Sequence, residues 1–165
     1  MAGWWKDYPW RVVQPNFRET DTRDFDEQRF IDELREFSCN AVMLNAAGLM
    51  AGYRTELEDH MCSDYLDGFD LKHLVDLCHE NGIKVIARTD FSKIPREVFE
   101  RHPDWAYRHA DGTELDYNGY VQTCIWAVIR ENIWTRSLKK CSRWYRLTGS
   151  TATWVQPQDI LWTTA

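Results

Sequence analysis

The chain has 165 residues, 44% hydrophobic and 28% charged, which is enough apolar content for one folded domain of ordinary size. Its formal net charge of −6 argues against a nucleic-acid partner, because phosphate binding depends on clustered Lys and Arg. No apolar run reaches the roughly 18 to 20 residues of a membrane span, and the first residues do not resemble a secretory signal. The five cysteines form no Cys-x-x-Cys pair, which favours a reduced cytoplasm.

Three apolar runs predict strands, and two helices are predicted between them. The strands are expected within residues 11–16, 41–45 and 83–87, the second being typical of a strand buried on both faces. The first helix is expected to begin near Asp24, which with Glu27 resembles a capping box. Its inner face is predicted from helical spacing to hold Phe30, Ile31, Leu34 and Phe37.

The second helix is expected to begin at Asp70 and to end at Asn81–Gly82, since Gly tolerates the left-handed conformation common at helix ends. Its inner face is predicted to hold Leu71, Leu74, Val75 and Cys78, the last as a core thiol. Further on, residues 95–102 predict a short helical turn. Residues 110–113 predict a turn between two extended segments.

Alternation of strands and helices predicts a parallel sheet, whose working residues lie at the carboxyl ends of the strands. These ends are polar here: they carry Asn16, Arg18 and Glu19, then Asn45, then Arg88, Thr89 and Asp90. A purely structural strand end needs no such set, which favours a binding function. The alternatives are a structural Arg–Asp pair at the third end and loop caps at the two asparagines.

The composition changes near Cys124. Residues 1–124 contain 14 Lys and Arg against 24 Asp and Glu, a net charge of −10, whereas residues 125–165 contain 6 against 2, a net charge of +4. Five of the nine tryptophans lie in the second segment at irregular spacing. One interpretation is a basic, aromatic segment that docks on the domain or on a partner. We favour out-of-frame translation, because the neighbouring frame can encode a helix-like pattern, a loop with Pro and Gly, and a strand-like run.

Five segments of the chain resemble one known family: WWKDYPWR, QPNFRETD, NAVMLNAAG, GIKVIARTDFSK and HPDWAYRHADGTELDYNG. They are similar to the opening of hypothetical glycosyl hydrolase 6, a bacterial TIM-barrel family placed among the alpha-amylase-like and beta-galactosidase-like glycosidases. The resemblance covers residues 4–124, and HPDWAYRHADG is its most specific piece. Family members continue with a GGYQ-like segment, a helix and a PVDG-containing strand, which the shifted frame offers.

The resemblance implies a (β/α)8 barrel that cleaves a glycosidic bond with two carboxylates. Barrel glycosidases often carry these on strand four and later, so Asp90 is only one candidate for a catalytic group. Sugar hydroxyls are expected to be bound by the three rims, through Asn16, Arg18, Glu19, Asn45, Arg88 and Asp90.

Four further residues complete the candidate binding set. His60 matches a loop histidine of the family, although a solvated Glu58-Asp59-His60 loop is the favoured alternative. Trp105 offers a flat face to a pyranose ring, although such residues more often cover a core. Tyr117 and Asn118 are expected on the same rim. The histidines have no metal-ligand spacing, and no phosphate loop or nucleophile elbow is present, so neither a metal nor a cofactor is expected.

The sequence therefore predicts that residues 1–124 are the first three βα units of a TIM-barrel glycoside hydrolase. On this interpretation the chain is a fragment without activity of its own, its partner is a carbohydrate substrate, and residues 125–165 are an aberrant tail. The alternative is a small, non-catalytic α/β carbohydrate-binding or interaction module whose tryptophan-rich tail forms the binding face. The oligomeric state is not predicted.

Overall fold

The computed structural model of the chain describes residues 7–48, 51–124 and 136. Its first part alternates strands and helices in the order β1 (Val12–Val13), α1 (Glu27–Glu36), β2 (Ala41–Gly48), α2 (Leu71–Glu80) and β3 (Lys84–Asp90). The sheet order is β1-β2-β3, and both pairings are parallel. The predicted alternation and the parallel arrangement are confirmed for these three strands.

The helix ends follow local hydrogen-bonding signals. Asp70 caps α2, its carboxylate accepting from the backbone amides of Lys72 and His73, and Gly82 beyond its end has a φ of +72°. Both features confirm the prediction.

The predicted start and inner face of α1 need correction. The cap is Asp26 and not Asp24, because the Asp26 carboxylate accepts from the amide of Arg29 at 2.9 Å. Phe37 is 73% exposed and not in the core, because α1 ends at Glu36 and the chain turns away there.

The main core lies between the sheet and the two helices. Ile31 and Leu34 of α1 and Leu74 of α2 are buried against Leu44 and Val85 of the sheet. Cys78 is also fully buried, and burial raises the pKa of its thiol to about 12, as expected for a core cysteine.

The second part of the described chain is a smaller layer that follows β3. It contains β4 (Lys93–Ile94), α3 (Arg96–Arg101), β5 (Asp116–Tyr117) and β6 (Tyr120–Gln122). The three short strands form an antiparallel sheet in the order β4-β6-β5. The predicted helical turn and the turn at residues 110–113 are both present, but the sequence did not predict this sheet. The described fold is thus mixed α/β.

In the described part of the chain, no helix has the length and apolar character needed to cross a membrane. The predicted out-of-frame segment, residues 125–165, lies outside the described residues except at position 136.

Candidate functional site

A hydrogen-bonded network joins the carboxyl ends of β2 and β3. Arg88 donates from Nη1 to Oδ1 of Asn45 at 3.0 Å and from Nη2 to Oδ2 of Asp90 at 3.2 Å. The other oxygen of Asp90, Oδ1, accepts from the backbone amide and the hydroxyl of Ser92, at 3.1 and 2.6 Å. The structure therefore brings together three predicted site residues from two strands. It also contains the Arg–Asp pair that was the structural alternative.

The network lies on the sheet face that the helices do not cover. Side chains alternate between the two faces of a strand, and the buried residues Val85 and Ala87 of β3 point into the helix-side core. Arg88 and Asp90 alternate with the buried Thr89 and so share the opposite face. Their side chains are 23% and 37% exposed, which leaves them accessible to a solute.

The spare hydrogen-bonding capacity of the network can be counted. A carboxylate has about four lone-pair sites, and Asp90 uses three of them for Ser92 and Arg88. The Asn45 carbonyl oxygen accepts from Arg88, whereas the amide nitrogen of Asn45 has no hydrogen-bond partner among the described residues and remains as a donor. A donor and an acceptor on neighbouring strands match a pair of hydroxyl groups.

Gly48 allows β2 and β3 to approach each other at this end. It pairs with Asp90, has a φ of +149°, and a Cβ placed on it would lie 2.2 Å from the Asp90 carbonyl oxygen. The pairing also shifts register between Asn45 and Ala47. The sequence analysis missed this glycine; a Gly that closes an apolar strand is the signal that could have found it.

The loop after β2 packs onto the segment that follows β3. His60 is buried, with its ring centroid 6.2 Å from that of Tyr53 and 5.8 Å from that of Phe91. Phe91 directly follows Asp90, so His60 lies against the chain at the carboxyl end of β3. The expectation of a solvated histidine is wrong, because the loop folds inward here.

Asp59 fixes the same loop to the end of α3. Its carboxylate accepts from Arg101 Nε at 2.7 Å and lies 2.8 Å from Nε2 of His102, whose ring stacks on Trp105 with centroids 3.9 Å apart. Burial raises the pKa of Asp59, but the hydrogen bonds from Arg101 and His102 outweigh it, so the pKa lies below its ordinary value. The sequence analysis missed this contact, which joins residues more than forty positions apart.

Trp105 needs correction as a sugar-stacking residue. It is only 3% exposed and packs with Ile94, Val98 and Val121, so it covers the core of the smaller layer. His102 already stacks on its ring. The alternative interpretation of this tryptophan is the right one.

The first predicted rim is exposed and is not joined to the network by any side-chain hydrogen bond among the described residues. Asn16 and Glu19 are both exposed. Arg18 pairs with Asp21 at 2.9 Å and not with Glu19, because the two form the capping contacts of a short 3-10 helix, Glu19–Thr22.

Tyr117 and Asn118 lie on a β-hairpin of the smaller layer. Asn118 and Gly119 have φ values of +54° and +86°, as a two-residue hairpin turn requires, so Asn118 has a structural role in the turn. Tyr117 is 50% exposed, and the ammonium group of Lys93 lies 4.6 Å from its ring centroid. No group of three His, Cys, Asp or Glu side chains within residues 7–48 and 51–124 is placed to hold a metal.

Parallel βα units with polar side chains at the carboxyl ends of their strands define an α/β protein whose expected binding site is that edge. The chain belongs to the family hypothetical glycosyl hydrolase 6, whose model matches residues 26–146. The resemblance found in the sequence is thereby confirmed. The matched range continues beyond Cys124 into the segment predicted to be out of frame.

Solved structures share this fold at low sequence identity. Alpha-L-fucosidase isoenzyme 2 from Paenibacillus thiaminolyticus is 21% identical, with a TM-score of 0.67 over 81% of this chain and 22% of its own. A hypothetical protein from Ruminiclostridium thermocellum is 14% identical, with a TM-score of 0.56 over 81% of this chain and 70% of its own. An alpha-galactosidase from Lactobacillus brevis is 11% identical, with a TM-score of 0.54 over 82% and 19%. The chain thus spans 22% of the length of the fucosidase. No curated protein matches it.

Proposed function

We propose that residues 1–124 are the first three βα units of a (β/α)8 barrel glycoside hydrolase, in which Asn45, Arg88 and Asp90 bind the sugar. One observation carries this proposal: the three side chains form a hydrogen-bonded network at the carboxyl ends of two parallel strands, on the face away from the helices. In a closed barrel that face points inward, and the carboxyl ends surround the active site.

In this proposal Arg88 is the organising group. It binds the oxygen of the Asn45 amide and so leaves the amide nitrogen for a ligand, and it binds one oxygen of Asp90. A sugar with two neighbouring hydroxyls then accepts from Asn45 and donates to Asp90. The bond to the Asp90 carboxylate is charge-assisted and worth about 1.5–3 kcal/mol, whereas the neutral bond from the Asn45 amide is worth about 0.5–1.5 kcal/mol.

In this proposal the carboxylates that cleave the glycosidic bond lie in other parts of the barrel. Hydrolysis needs two carboxylates on opposite sides of the bond. Asp90 is committed to Arg88 and Ser92 by three hydrogen bonds, which suits binding better than proton transfer. Within the described residues β3 pairs only with β2, and a complete barrel takes about 250 residues. We therefore expect the chain as it stands to be inactive.

The proposal includes an out-of-frame origin for residues 125–165, supported by the change in charge and tryptophan content at Cys124, whereas the family match as far as residue 146 speaks against it. It also includes a reduced cytoplasmic location, supported by the free thiols of Cys39, Cys62, Cys78 and Cys124. Sequencing of the gene across codons 120–150 tests the first point. An uninterrupted frame shared by closely related genes would refute it.

The enzymatic proposal is tested by assaying this chain and a frame-restored version against p-nitrophenyl glycosides of both anomeric configurations. Hydrolysis by the restored protein and not by this chain is expected. Hydrolysis by this chain would contradict the fragment proposal. Sugar binding without hydrolysis in both proteins would favour the non-catalytic module.

The proposed roles of individual residues are tested in the restored protein. Asn45→Ala and Asp90→Asn are each expected to raise KM roughly tenfold, the equivalent of about 1.4 kcal/mol for a lost hydrogen bond. Glu33→Gln is the matched control, because Glu33 is an exposed carboxylate on α1 that pairs only with Arg29 among the described residues. An unchanged KM in both rim variants would remove them from the site.

A further inference from the structure

The exposed face of the β4-β6-β5 sheet carries two tyrosines and two polar side chains. Tyr117 and Tyr120 are register partners across the hairpin, and Lys93 is the register partner of Gln122. Directly opposed residues point to the same face of a sheet, and so do positions i and i+2 of one strand. All four side chains therefore share one face, which we call the tyrosine surface.

The other face of the same sheet is committed to the core. Ile94 and Val121 are 4% and 0% exposed, and both pack with Val98 and Trp105. The tyrosine surface is open by comparison, since Tyr117 is 50% and Tyr120 37% exposed. The hairpin thus presents its aromatic rings to solvent, while the opposite face of the sheet packs on the core.

Lys93 holds the two rings in place. Its ammonium group lies 4.6 Å from the centroid of Tyr117 and 5.9 Å from that of Tyr120, within the range of a cation–π contact. The neighbouring cation, Arg96, is instead paired with Glu114 and Asp116. The surface therefore combines flat rings, phenolic hydroxyls, one ammonium group and one amide.

We propose that the tyrosine surface binds further units of a neutral oligosaccharide whose other end lies at the Asn45–Arg88–Asp90 network. A pyranose ring has an apolar C–H face and a polar edge, which match the tyrosine rings and the Lys93 and Gln122 side chains. A half-exposed tyrosine offers roughly 100 Å². Two such rings suit one or two sugar units and fall far short of the roughly 800 Å² per partner of a stable protein interface.

The sheet that carries the tyrosine surface is joined to the segment that holds Asp90, and the inference rests on the proposed function of that network. Ser92 donates to the Asp90 carboxylate, and its carbonyl oxygen accepts from the amide of Thr123 at 2.9 Å. The Thr123 hydroxyl also donates to the carbonyl oxygen of Phe91. Lys93 directly follows Ser92, so two neighbouring strands of this sheet, β4 and β6, are held beside the segment that binds the Asp90 carboxylate.

The test is native affinity electrophoresis of the purified chain in gels that contain soluble neutral polysaccharides, one per gel: galactomannan, xyloglucan, arabinogalactan or dextran. Retardation by at least one of them is expected. The double variant Tyr117→Ala/Tyr120→Ala should bind that polysaccharide at least tenfold more weakly. The double variant Tyr117→Phe/Tyr120→Phe keeps the rings and should retain most of the binding, which separates loss of the surface from loss of the fold.

Phe37→Ala is the control for loss of an exposed aromatic ring elsewhere, at the end of α1. No retardation of the unmodified chain in any gel, or equal losses in the Phe37 and tyrosine variants, would overturn the inference. Binding that survives the tyrosine substitutions but is lost in Asp90→Asn would also overturn it and leave the rim proposal standing. Binding that is lost in the tyrosine variant and kept in Asp90→Asn supports the surface, while the rim proposal fails separately.

Discussion

Replacement of Gly48 by alanine should damage the carboxyl end of the sheet more than any other Gly→Ala change among the described glycines. The new Cβ would lie 2.2 Å from the Asp90 carbonyl oxygen and 2.8 Å from the Asp90 carbonyl carbon, and backbone atoms cannot swing aside as a flexible side chain can. The φ of +149° adds strain for any residue with a Cβ. The strands must separate where Arg88 joins Asn45 to Asp90.

A matched control separates the two contributions to the expected loss in free energy of unfolding, namely backbone strain and close contact. Gly82 also has a positive φ, +72°, but a Cβ there meets no heavy atom within 4 Å. Gly82→Ala should therefore cost only the conformational penalty, about 1–2 kcal/mol. Gly48→Ala adds the cost of forced backbone movement, about 1–3 kcal/mol, for a total of about 2–5 kcal/mol. The entropy that alanine removes from the unfolded chain is common to both variants and cancels in the comparison.

The measurement is urea unfolding of both variants and the unmodified chain, followed by far-ultraviolet circular dichroism. The free energy of unfolding of a domain is typically about 5–15 kcal/mol. The loss expected in Gly48→Ala is a large part of it and should clearly lower the urea concentration at the unfolding midpoint. Equal free energies of unfolding for the two variants would refute the idea that close backbone contact at Asp90 requires glycine.

Three further predictions concern ionisation and packing. Asp59→Asn should lower the free energy of unfolding at pH 7 by about 1–3 kcal/mol. Because the pKa of Asp59 is lowered in the fold, its contribution to the free energy of unfolding is present above the ordinary pKa of 3.8 and is lost as the pH falls through the folded-state pKa. The free energies of unfolding of the unmodified chain and of Asp59→Asn should therefore converge in acid. A difference that does not change with pH would contradict this. Cys78, whose thiol has a pKa of about 12, should resist iodoacetamide at pH 8 while Cys62 is alkylated, as peptide mass spectrometry can show; equal rates in the folded chain would contradict the assigned burial. Leu74→Ala should lower the free energy of unfolding in urea by about 2–5 kcal/mol, because it opens a cavity in the core. Phe37→Ala should lower it by less than about 0.5 kcal/mol, because Phe37 is exposed. Similar losses in the two variants would show that Leu74 is not in the core.

Local patterns predicted the parts of the fold that depend on neighbouring residues in the sequence. The carboxylate of Asp70 caps α2 through amides two and three positions away, and Gly82 ends it within one turn. The strands β2 and β3 were predicted for the same reason, since each contains a short apolar run that can be recognised without knowledge of its partner. The polar ends of these strands could be read directly from the chain.

Other features depend on residues that are distant in the sequence. Whether Trp105 faces a ligand or a core depends on Val121 and Ile94, which local spacing does not bring together. The strands of the smaller sheet have only two or three residues, too short to show a period of two. This sheet therefore depends on pairing between strands that are apart in the sequence, which no local sequence pattern shows.

The sequence by itself determined the parallel βα order, the family and the residue types at the strand ends, because these are recorded in short runs of the chain. Tertiary structure decided which of those residues meet. Arg88 reaches Asn45 across 43 positions, and Asp59 reaches His102 across the same separation, only because β3 lies beside β2 and the intervening loop folds back over the strand ends. Such contacts are set by the packing of whole elements, which no window of neighbouring residues contains.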